Sequence, residues 1–143
     1  MNLAKALKRK NRLAQKVNDL KTEIQRENRT RSDDSKKIDV GTLIEELRTS
    51  IDNLVKLKIS IFVASTPMRE NILRLGEMKA YITFLRTIDT REGKVSDYGE
   101  TEVEYVATID KIYVKTKIEK YEKEIDGIQD ELDAFNHRTE IEV

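Results

Sequence analysis

The sequence predicts an all-α protein: an elongated four-helix bundle or helical hairpins, with coiled-coil-like packing and room for minor β extensions. Three observations lead there. Apolar residues recur at alternating steps of three and four along long stretches, the spacing that builds one helix face. Charged residues are 38% of the 143, well above the usual quarter, which suits long solvent-washed helices. The chain has a single Pro and five Gly, and polar turn-rich stretches separate the periodic ones.

The first helix is expected over residues 2–29. Leu3, Ala6, Lys10, Leu13, Val17, Leu20 and Ile24 keep the three-four step, and Asn2 is a candidate cap. Lys10 interrupts the stripe, but its stem can lie along apolar surface with the ammonium in water. Residues 30–39, TRSDDSKKID, read as a polar loop, because Ser, Asp and Thr compete for local backbone hydrogen bonds.

The second helix follows Asp39, a candidate cap. Its face is Val40, Ile44, Leu47, Ile51, Leu54 and Ile61, widened by Leu43, Val55 and Leu57. So wide a face calls for more than one neighbour. Thr66–Pro67 has the pattern of a cap followed by a first helical residue. The third helix is therefore expected over 67–89, with Met68, Ile72, Leu75, Ile82, Leu85 and Ile88 as its face. Met78, Tyr81 and Phe84 lie beside that face, and Gly76 within it either weakens the helix or admits a close neighbour.

Residues 90–108 read as a loop or extended segment, with TEVEYVA at 101–107 alternating at period two. The fourth helix is expected over 109–136, where Ile118, Tyr121, Ile125, Ile128, Leu132 and Phe135 make an unbroken stripe. Residues 137–143 form a tail that alternates again in TEIEV. Pairing between the two alternating segments is expected to be easier across subunits. The whole chain, 1–143, is read as one helical domain.

The formal net charge is zero, from 27 basic and 27 acidic residues, but it is unevenly spread. Residues 1–37 hold 12 basic and 5 acidic groups, and residues 99–143 hold 6 and 13. Neutralisation between helices, within a subunit or across a dimer, accounts for this more simply than attraction to a polyanion. The basic set Lys5, Lys8, Arg9, Lys10, Arg12 and Lys16 suggests a nucleic-acid surface. Against it stand Lys10 on the apolar stripe and the acidic fourth helix. A membrane-surface helix would need an apolar face that a bundle buries.

No Cys is present, which excludes disulfides and thiol chemistry and fits a reducing, cytoplasmic compartment. The opening residues lack the pattern of a secretory signal, and no apolar run reaches spanning length. A single His argues against zinc. The acidic groups Glu100, Glu102 and Glu104, and Asp126, Asp130 and Glu131, are read as solvated surface. No catalytic residue, cofactor or metal is expected.

The residues singled out for an interaction surface are Arg91, Glu92, Tyr105 and His137. Asp89, Arg91 and Glu92 can form a salt-bridged turn, Tyr105 is an aromatic anchor, and His137 follows the expected helix end. The expected function is a non-enzymatic structural or protein-interaction module. It would associate with itself as a dimer or higher oligomer, and with protein partners not identified by the sequence.

The opening Met1, Leu3, Ala4, Ala6 and Leu7, followed by Leu13, Val17 and Leu20, resembles the start of septicolysin-like small helical bacterial proteins. The runs LRTIDTREG at 85–93 and LDAFNHRT at 132–139 are similar to stretches of related uncharacterised bacterial proteins. The resemblance implies an all-helical bundle, and its name implies a membrane-active, cytolytic association. It assigns no catalytic or binding residue.

Overall fold

The computed structural model describes residues 1–34, 38–97 and 101–142. The fold is mostly α-helical, with four α-helices and one two-stranded antiparallel sheet among the described residues. They are α1 (Leu3–Glu27), α2 (Val40–Ala64), α3 (Arg69–Leu85), the strands β1 (Gly93–Asp97) and β2 (Thr101–Tyr105), and α4 (Lys111–Arg138). The chain divides into two compact units: Met1–Pro67 with Asp133–Val143, and Met68–Leu132.

In the first unit, α1 begins where expected. Asn2 has extended backbone angles, and its side chain accepts the Lys5 N–H at 2.9 Å, satisfying one of the donors a helix start leaves open. Leu3, Ala6, Val17 and Leu20 are buried, and Lys10, Leu13 and Ile24 are half-buried. The expected stripe is thus the inner face, and Lys10 lies on it in part. Asp39 caps α2 through the Thr42 N–H and hydroxyl, at 3.2 and 2.7 Å. These bonds hold its carboxyl below the ordinary range, the hydroxyl contributing most. An ion pair of 3.2 Å between Lys16 and Glu46 joins α1 to α2, which pack as a helical hairpin.

Most of the expected α2 face is turned inward, but not all of it. Leu43, Leu47, Ser50, Leu54, Leu57 and Ile61, buried or half-buried, form a three-four series, and Val40, Ile51, Ser60 and Ala64 are half-buried beside it. Ile44 and Val55, assigned to the core by the apolar pattern, are 49% and 50% exposed. A helix that is apolar around more than half its circumference offers two possible inner stripes, and periodicity alone does not rank them.

The other end of the chain completes this unit. Thr139 O accepts the Leu3 N–H at 2.7 Å, and Met1 O accepts the Ile141 N–H at 2.9 Å. The Asn2–Glu140 bridge is antiparallel, and Ile141 is only 8% exposed. The tail thus pairs with the first residues of its own chain, which replaces the expected pairing with the 101–107 segment across subunits. α4 runs two residues beyond its expected end and takes in His137 and Arg138.

In the second unit, α3 starts later and ends earlier than expected. Residues Thr66–Met68 form a 3₁₀ turn, and Met68 at the helix start makes no side-chain cap. The Thr66 hydroxyl donates back to Phe62 O at 3.3 Å. The hydroxyl that was to cap α3 is therefore used by the turn before it. After Leu85, the Thr87 and Ile88 N–H groups bond back three residues, and the Thr87 hydroxyl donates to Phe84 O at 2.6 Å. These tighter bonds satisfy the last carbonyls and close the helix.

α3 and the first part of α4 pack antiparallel. Asn71 bonds Glu131 at 3.0 Å, and the Tyr81 and Tyr121 rings meet edge-on with centroids 5.2 Å apart. Arg86 bonds Glu122 at 2.8 Å. The start of α3 meets Glu131 and its later part meets Tyr121 and Glu122, the reversed order of antiparallel neighbours. Leu75, Ile82, Leu85, Val114 and Leu132 are buried, and the α4 stripe from Ile118 to Ile128 is half-buried, as its spacing predicts. A Cβ added at Gly76 would meet nothing within 4 Å, so no close approach among the described residues explains that glycine.

The expected loop after α3 holds a hairpin. Gly93 pairs with Tyr105, Lys94 with Glu104, Val95 with Val103 and Ser96 with Glu102. Gly93 has φ +116°, open to glycine and strained for other residues. Opposite charges face each other at Lys94–Glu104, a favourable cross-strand pair. Asp110 then starts α4 by accepting the Tyr113 N–H at 2.7 Å.

Candidate interaction site

The second unit gathers Arg91, Glu92 and Tyr105 around the base of the hairpin. The guanidinium of Arg91 grips Asp89 with two parallel bonds, Nε to Oδ1 at 2.9 Å and Nη2 to Oδ2 at 2.8 Å. The Arg91 backbone N–H adds a third at 3.1 Å. A two-residue separation lets one carboxylate serve both side chain and backbone of Arg91, as in an Asx turn. Glu92 reaches across the hairpin and accepts the Ala107 N–H at 3.2 Å. With Val95 and Tyr105 these groups line a concavity of about 400 Å³.

Electrostatics show what this turn is suited for. Arg91, through its guanidinium first and its backbone N–H second, holds the Asp89 carboxyl at about 2, below its ordinary 3.8. Asp89 in turn raises Arg91. A carboxylate that stays ionised down to such low pH is poorly matched to proton transfer near neutrality. The arrangement is an exposed salt-bridged turn at the entry to β1.

This has a measurable consequence. Because the folded value is depressed, the contact contributes in full above 3.8 and is lost as pH falls through about 2. An NMR titration of the Asp89 carboxyl should give a midpoint near 2, and Arg91→Gln should move it up toward 3.8. A midpoint near 3.8 in the native chain would show that the fork does not form in solution.

His137 lies in the other unit, in the last turn of α4, and is exposed. Its backbone carbonyl accepts a 3.2 Å bond from the Asn2 side chain. The structure therefore does not gather it with the other three within one unit. Tyr81 and Phe84, which spacing places beside the α3 face, and Tyr105, read as an aromatic anchor, are 44%, 58% and 45% exposed.

A second concavity of about 380 Å³ lies between α3 and the start of α4, lined in part by Tyr81, Phe84, Ile109, Tyr113 and Lys117. The Lys117 ammonium sits 5.4 Å from the Tyr113 ring centroid, a cation–π contact.

The largest feature missed in sequence is the outer face of α2. Besides Ile44 and Val55, it exposes Ile59, Phe62 and Val63 by 59%, 61% and 64%. The signal was present in the width of the apolar pattern, but its outward half was indistinguishable from its inward half. Among the described residues, no group of three or more His, Asp or Glu side chains could hold a metal ion, and Glu100 lies outside those residues. No helix among them is long and apolar enough to cross a membrane. Comparison with protein-family models, curated proteins and solved structures finds no match for this chain.

Proposed function

We propose that this chain is a non-enzymatic structural or protein-interaction module that assembles with itself through apolar helical faces and complementary charge. The observation that carries this reading is the exposed apolar side of α2, where Ile44, Val55, Ile59, Phe62 and Val63 are each 49–64% exposed. Contiguous exposed apolar surface of this kind commonly marks a protein contact. The basic first quarter and acidic last third of the chain add a source of attraction between copies.

Mass in solution tests it. Light scattering across the micromolar range should give twice 16.7 kDa or a higher multiple. A mass of one chain throughout that range removes self-assembly. A membrane-active alternative draws on the same exposed side chains and on the septicolysin-like resemblance. It requires dye release from liposomes at micromolar protein, and intact liposomes would eliminate it.

A further inference from the structure

We infer that the outer face of α1 is a docking strip for the phosphate backbone of a nucleic acid. This goes beyond the self-assembly reading and rests on a different surface. The first 18 residues hold six basic side chains and no acidic one. Lys5, Lys8, Arg9, Arg12 and Lys16 are all exposed, and on an ideal helix they fall within about 100° of arc. That strip is turned about 110° from the inner stripe of Leu3, Ala6, Val17 and Leu20. Lys10, half-buried, lies on the inner stripe and is not part of it.

Neutralisation inside the chain, the simplest account of the uneven charge, hardly reaches this strip. Lys16 pairs with Glu46. Among the described residues, the side chains of Lys5, Lys8, Arg9 and Arg12 make no ion pair. The compact unit that carries the strip, residues 1–67 and 133–143, holds 16 basic and 12 acidic residues, whereas residues 68–132 hold 11 and 15. Of the acidic residues of α4, only Asp133 falls in the unit of the strip. The strip is about 17 Å long, roughly five base-pair rises of a duplex. Asp19 and Glu23, next along the same arc, end it. Between Lys5 and Lys16 no apolar side chain lies within that arc, whereas a helix on a membrane surface needs apolar groups to bury. No aromatic ring is there to stack on a base, so the contact is to phosphates and independent of sequence.

Fluorescence anisotropy of a labelled DNA duplex of about 20 base pairs and mixed sequence tests this, from about 50 to about 200 mM salt. The native chain should bind at the low end and weaken steeply. The logarithm of its binding constant should fall with a slope of about −4 against the logarithm of salt, about −0.9 for each phosphate neutralised. Arg9→Gln together with Arg12→Gln should flatten the slope by about 2 and weaken binding at least ~10-fold at the lowest salt. Lys120→Gln together with Lys123→Gln removes the same charge from exposed positions of α4 and should leave the slope unchanged. Circular dichroism should show the same helix content in all three chains.

A native chain that leaves the duplex unbound at the lowest salt overturns the inference. Equal losses in the two double variants overturn it as well, because they would report net charge and not the strip. The competing occupant is a second copy of this chain. If light scattering shows a native dimer that the Arg9 and Arg12 double variant loses, and the duplex stays unbound, the strip is a contact between copies. The inference then falls and self-assembly stands. A monomeric native chain that binds the duplex with the expected slope keeps the inference and removes self-assembly.

Discussion

Leu57→Ala is expected to destabilise the α1–α2 hairpin by about 3 kcal/mol, which is the typical cost of opening a leucine-sized cavity in a core. Leu57 is 2% exposed and, with Leu3, is one of the two largest fully buried side chains described. It sits on the inner stripe of α2, within the unit where α1 and α2 pack. Three kilocalories is a large part of the roughly 5–15 kcal/mol that holds an ordinary domain together. Urea unfolding followed by helical circular dichroism measures the loss. Leu73→Ala, at a position 63% exposed on α3, should stay within about 0.5 kcal/mol and serves as the control. Equal effects at the two sites would mean that α2 does not present Leu57 to the core.

Ile141→Ala is the second large effect, at about 2 kcal/mol or more. Ile141 is 8% exposed although it lies beyond the last helix. Its N–H bonds to Met1 O, and two residues earlier Thr139 O accepts the Leu3 N–H. Burial and backbone pairing therefore act on the same short tail. Weakening the burial should also loosen the pairing, so hydrogen exchange at the Leu3 and Ile141 amides should quicken in the variant. Unchanged stability together with unchanged exchange would show that the tail gains nothing from its apolar anchor.

These two residues differ in how legible they were. Leu57 lay in a run of helix period, and the periodicity placed it on the apolar side of α2. Its rank was hidden, because Ile51, Val55 and Ile59 compete for the same role when only spacing is known. Ser50 shows the other half of the problem. It is 4% exposed on the inner stripe, yet a serine carries no hydrophobic signal. Ile141 stood in a five-residue alternation whose expected partner was the 101–107 segment, and its partner is at the opposite end of the sequence.

The interaction residues divide similarly. The Asp89–Arg91 turn was readable because its bonds span two residues, a distance over which side-chain chemistry and chain geometry are locally determined. Glu92 and Tyr105 come together only because β1 pairs with β2, and β1 was hidden in a polar stretch expected to be loop. His137 looked like a neighbour of a helix end and is part of the helix, with its carbonyl engaged by Asn2.

The sequence by itself determined the four helices, the caps at Asn2 and Asp39, the inner faces of α1 and α4, and the salt-bridged turn. Each follows from interactions among residues a few positions apart, which a linear pattern records. Only the tertiary structure decided which side of α2 turns inward, that 93–97 is a strand, and that the tail docks on the first residues. Those outcomes depend on the partner each segment meets. An apolar surface or an open backbone edge is satisfied by whichever neighbour the fold brings to it.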